Sequence, residues 1–169
     1  MRRIALLLAL CLLSACGAEK EAAREACTGA DYVRANDVIG DPPQGFEVTP
    51  IQDKRALDGF MKQFESVLGD RLRGYDSKVL FRRNARVGTV VITVNATEET
   101  GGSDDFLRGA EDSGQEGETL EIAGEQGRLQ QAQDGTYIAM APAGSCAFLV
   151  MVAEREAMLR AAIDALPSS

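Results

Sequence analysis

The chain has 169 residues and carries 26 acidic against 18 basic side chains, a formal net charge of −8, with no histidine and no tryptophan. That balance argues against nucleic acid, whose phosphates demand clustered Lys and Arg, and against docking on anionic head groups by charge alone. The absence of histidine excludes Ser-His-Asp and Cys-His nucleophilic machinery, together with every zinc site that needs an imidazole.

At the amino terminus, Met1-Arg2-Arg3 forms a positive n-region and residues 4–13 an uninterrupted apolar stretch. Ser14-Ala15 then presents small residues to a peptidase just before Cys16. The apolar run is too short to span ~30 Å of hydrocarbon, which takes roughly 20 residues of helix. Leu13-Ser14-Ala15-Cys16 resembles the lipobox of bacterial lipoproteins. The resemblance implies diacylglycerol transfer to the Cys16 sulfur, cleavage before Cys16 and acylation of the new amino terminus. Gly17, in place of an aspartate, implies sorting to the outer membrane in a diderm cell and otherwise to the outer face of the plasma membrane. Loss of residues 1–15 removes Arg2 and Arg3, leaving 16 basic against 26 acidic residues in the mature chain. Membrane attachment is therefore expected through the lipid alone.

Of four cysteines, Cys11 leaves with the signal and Cys16 takes the lipid. In an exported protein the remaining pair, Cys27 and Cys146, is expected to form a disulfide. A metal or redox dithiol reading lacks both a CxxC spacing and a second pair of ligands.

Residues 16–26 read as a charged, alanine-rich tether and 27–50 as an arm rich in breakers around Gly40-Asp41-Pro42-Pro43, with Phe46 and Val48 in a short extended piece. The three- and four-residue spacing of Ala56, Leu57, Phe60, Met61, Phe64, Val67 and Leu68 predicts a helix over 53–68, capped by Gly69. Strands are predicted over 75–82 and 86–96, the second placing Val90, Ile92 and Val94 on one face and Thr89, Thr93 and Asn95 on a solvent-facing other. An acidic loop, 98–105, leads into a short helix with Ser103 as N-cap and Phe106, Leu107 and Ala110 inward. Four strands then meander over 118–123, 127–133, 136–141 and 146–152, with Gly124-Glu125, Asp134-Gly135 and 142–145 as turns. A helix over 154–166 closes the chain before Pro167. These elements predict one α+β domain over 51–167, an antiparallel sheet of about six strands with helices packed mainly on one face. In element order alone it resembles small α+β domains of envelope lipoproteins, including the PsbP-like type.

Candidate chemistry is sparse. Glu98, Glu99, Asp104 and Asp105 gather in one loop, without the spacing of a calcium-binding loop. A second acidic run holds Asp112, Glu116, Glu118, Glu121 and Glu125; paired-carboxylate hydrolysis would also need sugar-stacking aromatics that the chain largely lacks. Ser145 lacks the second glycine of a nucleophile elbow, and Gly124-x-x-Gly127 is too short for a phosphate loop. Arg82, Arg83 and Arg86 cluster at a predicted hairpin tip with Arg71 and Arg73 upstream, a candidate grip for an acidic partner. The sequence thus predicts a lipid-anchored envelope protein, a binding or accessory module without catalytic residues, cofactor or metal. Its expected partner is an envelope protein or a small ligand. The rival expectations are a small hydrophobic-ligand binder using the space between helix 53–68 and the sheet, and a carboxylate- or metal-dependent hydrolase.

Overall fold

Valine, isoleucine and threonine crowd residues 89–96, and this β-branched run builds the middle of a seven-stranded antiparallel sheet. In the computed structural model the described residues are 25–42, 44–52, 54–83, 85, 87–101, 107–109, 111 and 117–167. The strands are β1 (Phe46–Thr49), β2 (Leu72–Arg82), β3 (Thr89–Ala96), β4 (Glu118–Ile122), β5 (Glu125–Gln131), β6 (Tyr137–Pro142) and β7 (Ala147–Ala153). They lie in the order β1-β2-β3-β7-β6-β5-β4. They are accompanied by the helices α1 (Ala35–Ile39), α2 (Lys54–Leu68) and α3 (Glu156–Ile163).

Two corrections to the sequence-based fold follow. The sheet has seven strands rather than about six, because Phe46–Thr49 pairs with β2 from Phe46↔Arg82 to Thr49↔Val79. Helices also cover both faces. On one face Met61, Phe64 and Leu68 of α2 are buried with Ile92, Val94, Ile138, Met140 and Phe148. On the other, Ile39 at the end of α1 and Leu159, Ala162 and Ile163 of α3 pack on Val91, Leu149 and Met151. Each fully buried aliphatic side chain of this kind stabilises the fold by roughly 1.5–3 kcal/mol. Strand β3 is consequently buried on both faces instead of half-buried, with Thr93 and Asn95 at 0% and 1% exposure.

Those two polar side chains are tolerated because they hold the arm. The Val33 N–H donates to Asn95 Oδ1 at 2.7 Å, while Asn95 Nδ2 and Thr93 Oγ1 donate to the Val33 carbonyl at 3.0 and 2.9 Å. The arm then starts α1, where Asp76 accepts from the Ala35 N–H at 3.0 Å and Asp37 accepts from the Arg34 N–H at 2.9 Å. Five residues are too few for a 3.6-residue apolar period to register, so α1 has no signature that sequence alone reveals. At the start of the arm, Cys27 is bonded to Cys146 as expected.

Turn chemistry decides the local register. Ala123 and Gly124 both take positive φ (53° and 86°), so the β4–β5 turn is this pair and Glu125 already belongs to β5. In the β5–β6 turn Asp134 Oδ1 accepts from the Thr136 N–H and hydroxyl at 3.0 and 2.6 Å, with Gly135 at φ 88°. That hairpin lies where Asp134-Gly135 predicts it.

The other end of the sheet is latched by Arg160. Its guanidinium donates to Glu156 one turn earlier at 2.8 Å and to Glu118 on the edge strand β4 at 3.2 Å. Hydrogen bonds from Arg160, reinforced by its charge, hold the Glu118 carboxyl below the usual glutamate range. A depressed folded-state value means that this contribution is present above the unfolded value and disappears as pH falls through the folded one. Arg160→Gln should therefore raise the Glu118 titration midpoint, followed by carboxyl NMR. The stability gap between variant and wild type should narrow towards acid; an unchanged midpoint would rule out the latch.

Candidate functional site

Gly88 brings the β2–β3 connection tightly against β2, since a Cβ there would lie 2.6 Å from Val79 Cγ1 and 2.9 Å from the Leu80 carbonyl. The connection faces the amino-terminal turn of α3, tied by the Thr89 hydroxyl, which donates to the Met158 carbonyl at 3.4 Å. Between them lies a groove of about 250 Å³. Phe46, Leu80, Val87 and Met158 give it apolar walls, and Arg82 and Arg155 stand on its rim. Val87 is 38% exposed and is the exposed large hydrophobic residue among the described ones.

Among the described residues the two arginine side chains find few partners. Arg155 Nε donates to Met158 Sδ at 3.3 Å, a thioether that is a weak acceptor. Neither Arg155 nor Arg82 forms an ion pair among the described residues. Arg155 also sits at the N-cap of α3 without making a side-chain cap, so its charge adds to the positive end of the helix dipole. In a chain of net charge −8 this is a local positive patch around an apolar slot.

The predicted arginine cluster is only partly assembled here. Arg82 lies in the groove, whereas Arg83 turns to Glu47 on β1 at 3.5 Å with both side chains mostly exposed. Arg86 lies outside the described residues. Arg73 is some nine residues back along β2, roughly 30 Å at strand rise, and donates instead to the Cys27 carbonyl at 3.2 Å and to that of Thr28. Arg155, Val87 and Met158 escape sequence reasoning, because only the packing of α3 beside the β2–β3 connection brings positions so far apart in the chain together.

The carboxylates do not converge in what is described. Glu98 bridges to Ala26 through its backbone, the Glu99 N–H donates to the Glu25 carbonyl at 3.1 Å, and Glu118 serves Arg160. Asp104, Asp105, Asp112 and Glu116, with Ser103, Phe106 and Ala110 of the predicted short helix, lie outside the described residues. Among the described residues no group of three Asp, Glu, Cys or His side chains is placed to hold a metal ion. Ser145 occupies a turn, its carbonyl accepting from the Thr100 N–H at 2.7 Å and hydroxyl at 3.1 Å. Cys16 and the rest of the lipobox also lie outside the described residues. No described helix is long and apolar enough to cross a membrane.

The described residues thus define an α+β protein with a seven-stranded antiparallel sheet between helices and a cationic, apolar groove at one end. Comparison with known protein families, with curated proteins and with solved structures finds no match to this chain.

Proposed function

We propose that the protein is a lipid-anchored envelope module that docks another envelope protein through the Arg82–Arg155 groove. The observation that carries this is the pairing of two arginines that form no ion pair among the described residues with an apolar slot holding exposed Val87. Size decides the class of occupant. At about 250 Å³ the slot falls below the roughly 300–1,000 Å³ of pockets that engulf small ligands. It fits one apolar side chain of a partner, with carboxylates beside it for the two guanidiniums. The lipobox resemblance of residues 13–16 supports presentation of this surface from a membrane.

In-cell photo-crosslinking from position 87 tests this, with position 121 as a control site on β4. One discrete adduct is expected from 87 and none from 121. It should fall by about tenfold or more in Arg82→Glu/Arg155→Glu, since each charged hydrogen bond carries roughly 1.5–3 kcal/mol. It should also disappear in Cys16→Ser, whose product leaves the membrane fraction. Equal labelling from both positions, or an adduct indifferent to the arginines, would remove the groove from the function; unchanged membrane fractionation of Cys16→Ser would remove the anchor.

A further inference from the structure

Strand β2 has eleven residues, yet β1 covers only its last four, Val79 to Arg82. The cause is Pro50, directly after β1, which has no N–H to extend the ladder. Alternation identifies which groups are left over. The Arg83 N–H donates to the Gly45 carbonyl at 2.6 Å, so the odd-numbered residues of β2 point their backbone groups towards β1. Continued along the strand, this directs the N–H and C=O of Tyr75 and Ser77 out of the open edge, and among the described residues nothing receives them.

The edge is walled rather than bare. A groove of about 320 Å³ runs along it, with Tyr32, Arg34 and Asn36 of the arm on one side and Tyr75 and Lys78 of β2 on the other. Asp76 also lines it and accepts from the Ala35 N–H at 3.0 Å, while Asp58 of α2, outside the lining, accepts from the Tyr75 hydroxyl at 3.5 Å. Burial, with Asp76 and Asp58 behind it, raises the Tyr32 and Tyr75 phenols above their ordinary range. Arg34 and Lys78 form no ion pair among the described residues, so the lining carries two cations, one on each side, against the single carboxylate of Asp76. The other margin of the sheet differs. Edge strand β4 has five residues and carries Glu118 and Glu121, charges of the kind that discourage pairing.

We propose that the β2 edge at Tyr75–Ser77 receives an extended acidic segment of a partner protein as an added strand, in line with β1. Side chains on a strand alternate, so two carboxylates two residues apart lie on one face, between Arg34 of the arm and Lys78 of β2, while the intervening residue faces Tyr75. The recognised feature is acid-x-acid in an extended stretch of about five residues. This site is separate from the Arg82–Arg155 groove and does not depend on it.

The probe is a synthetic seven-residue peptide, Thr-Val-Glu-Val-Glu-Val-Thr with blocked ends, titrated into the 15N-labelled full chain. Expected are saturable shifts of the Tyr75 and Ser77 amides with slowed exchange of both. Affinity should fall about tenfold or more when lysines replace the two glutamates of the peptide. Ser77→Pro deletes an outward donor at an edge position that tolerates proline, and should abolish binding with the fold retained. Should that variant not fold, Arg34→Glu/Lys78→Glu is the second test, and the preference should reverse towards the lysine peptide. Shifts confined to other residues, binding indifferent to charge, or concentration-dependent pairing of the β2 edges of two copies would each overturn the proposal.

Discussion

Loss of the Cys27–Cys146 bridge should lower the unfolding free energy by about 5 kcal/mol. The bond closes a loop of 119 residues, and in the chain-entropy description a loop of that size in the unfolded chain carries about 5 kcal/mol at 25 °C. Domains of this size are stable by only about 5–15 kcal/mol, so the bridge supplies a substantial part of the whole. Its position favours the full effect. Cys27 enters beside the Ala26↔Glu98 bridge, its N–H donates to the Thr97 carbonyl at 2.9 Å, and the Cys146 carbonyl accepts from the Ala96 N–H at 2.9 Å. Both cysteines therefore sit in backbone already ordered by β3, and no segment has to be rearranged to join them. Guanidinium unfolding of Cys27→Ser/Cys146→Ser against wild type measures the difference. A steeper denaturant dependence is also expected, because the open unfolded chain exposes more surface. Coincident midpoints would show that the arm is secured without the bond.

The second large effect is expected at Asn95, 1% exposed and the acceptor for the Val33 N–H. In Asn95→Ala the Val33 carbonyl keeps its bond from Thr93, but the N–H loses its acceptor beneath the arm. An orphaned amide costs roughly 1–3 kcal/mol, and the space left by the amide adds to it. A loss of about 2–3 kcal/mol is expected, with faster hydrogen exchange at Val33 than at β6 or β7. A change below about 0.5 kcal/mol, the usual range for surface substitutions, would mean that the arm rests on its apolar contacts alone. The two losses should not simply add, because the disulfide and Asn95 pin the same segment.

The contrast between Asn95 and Asp134 shows what could be read in advance. Both are short polar side chains that satisfy backbone groups, but Asp134 acts two residues away, within one turn, so Asp134-Gly135 predicts its hairpin unaided. Asn95 acts across 62 residues. Nothing local separates it from an asparagine on a solvated strand face, which is what the alternating pattern of β3 predicts. Likewise Phe60, Met61 and Phe64 announce α2 through their spacing, whereas α1 exists because Asp37 and the distant Asp76 meet its first N–H groups.

The sequence by itself determined the features whose causes lie within a few residues or in residue type. These are the amphipathic helix over 54–68, the Asp134-Gly135 hairpin, the α+β antiparallel class and the expected Cys27–Cys146 pair. Only the tertiary structure decided that helices cover both faces, that the arm supplies an edge strand, that Arg155 joins Arg82 across a groove, and that β2 outruns β1. The physical reason is range: periodicity and turn chemistry act over two to four residues, while burial of a second sheet face and the meeting of two distant arginines depend on chain closure, which leaves no local periodic trace.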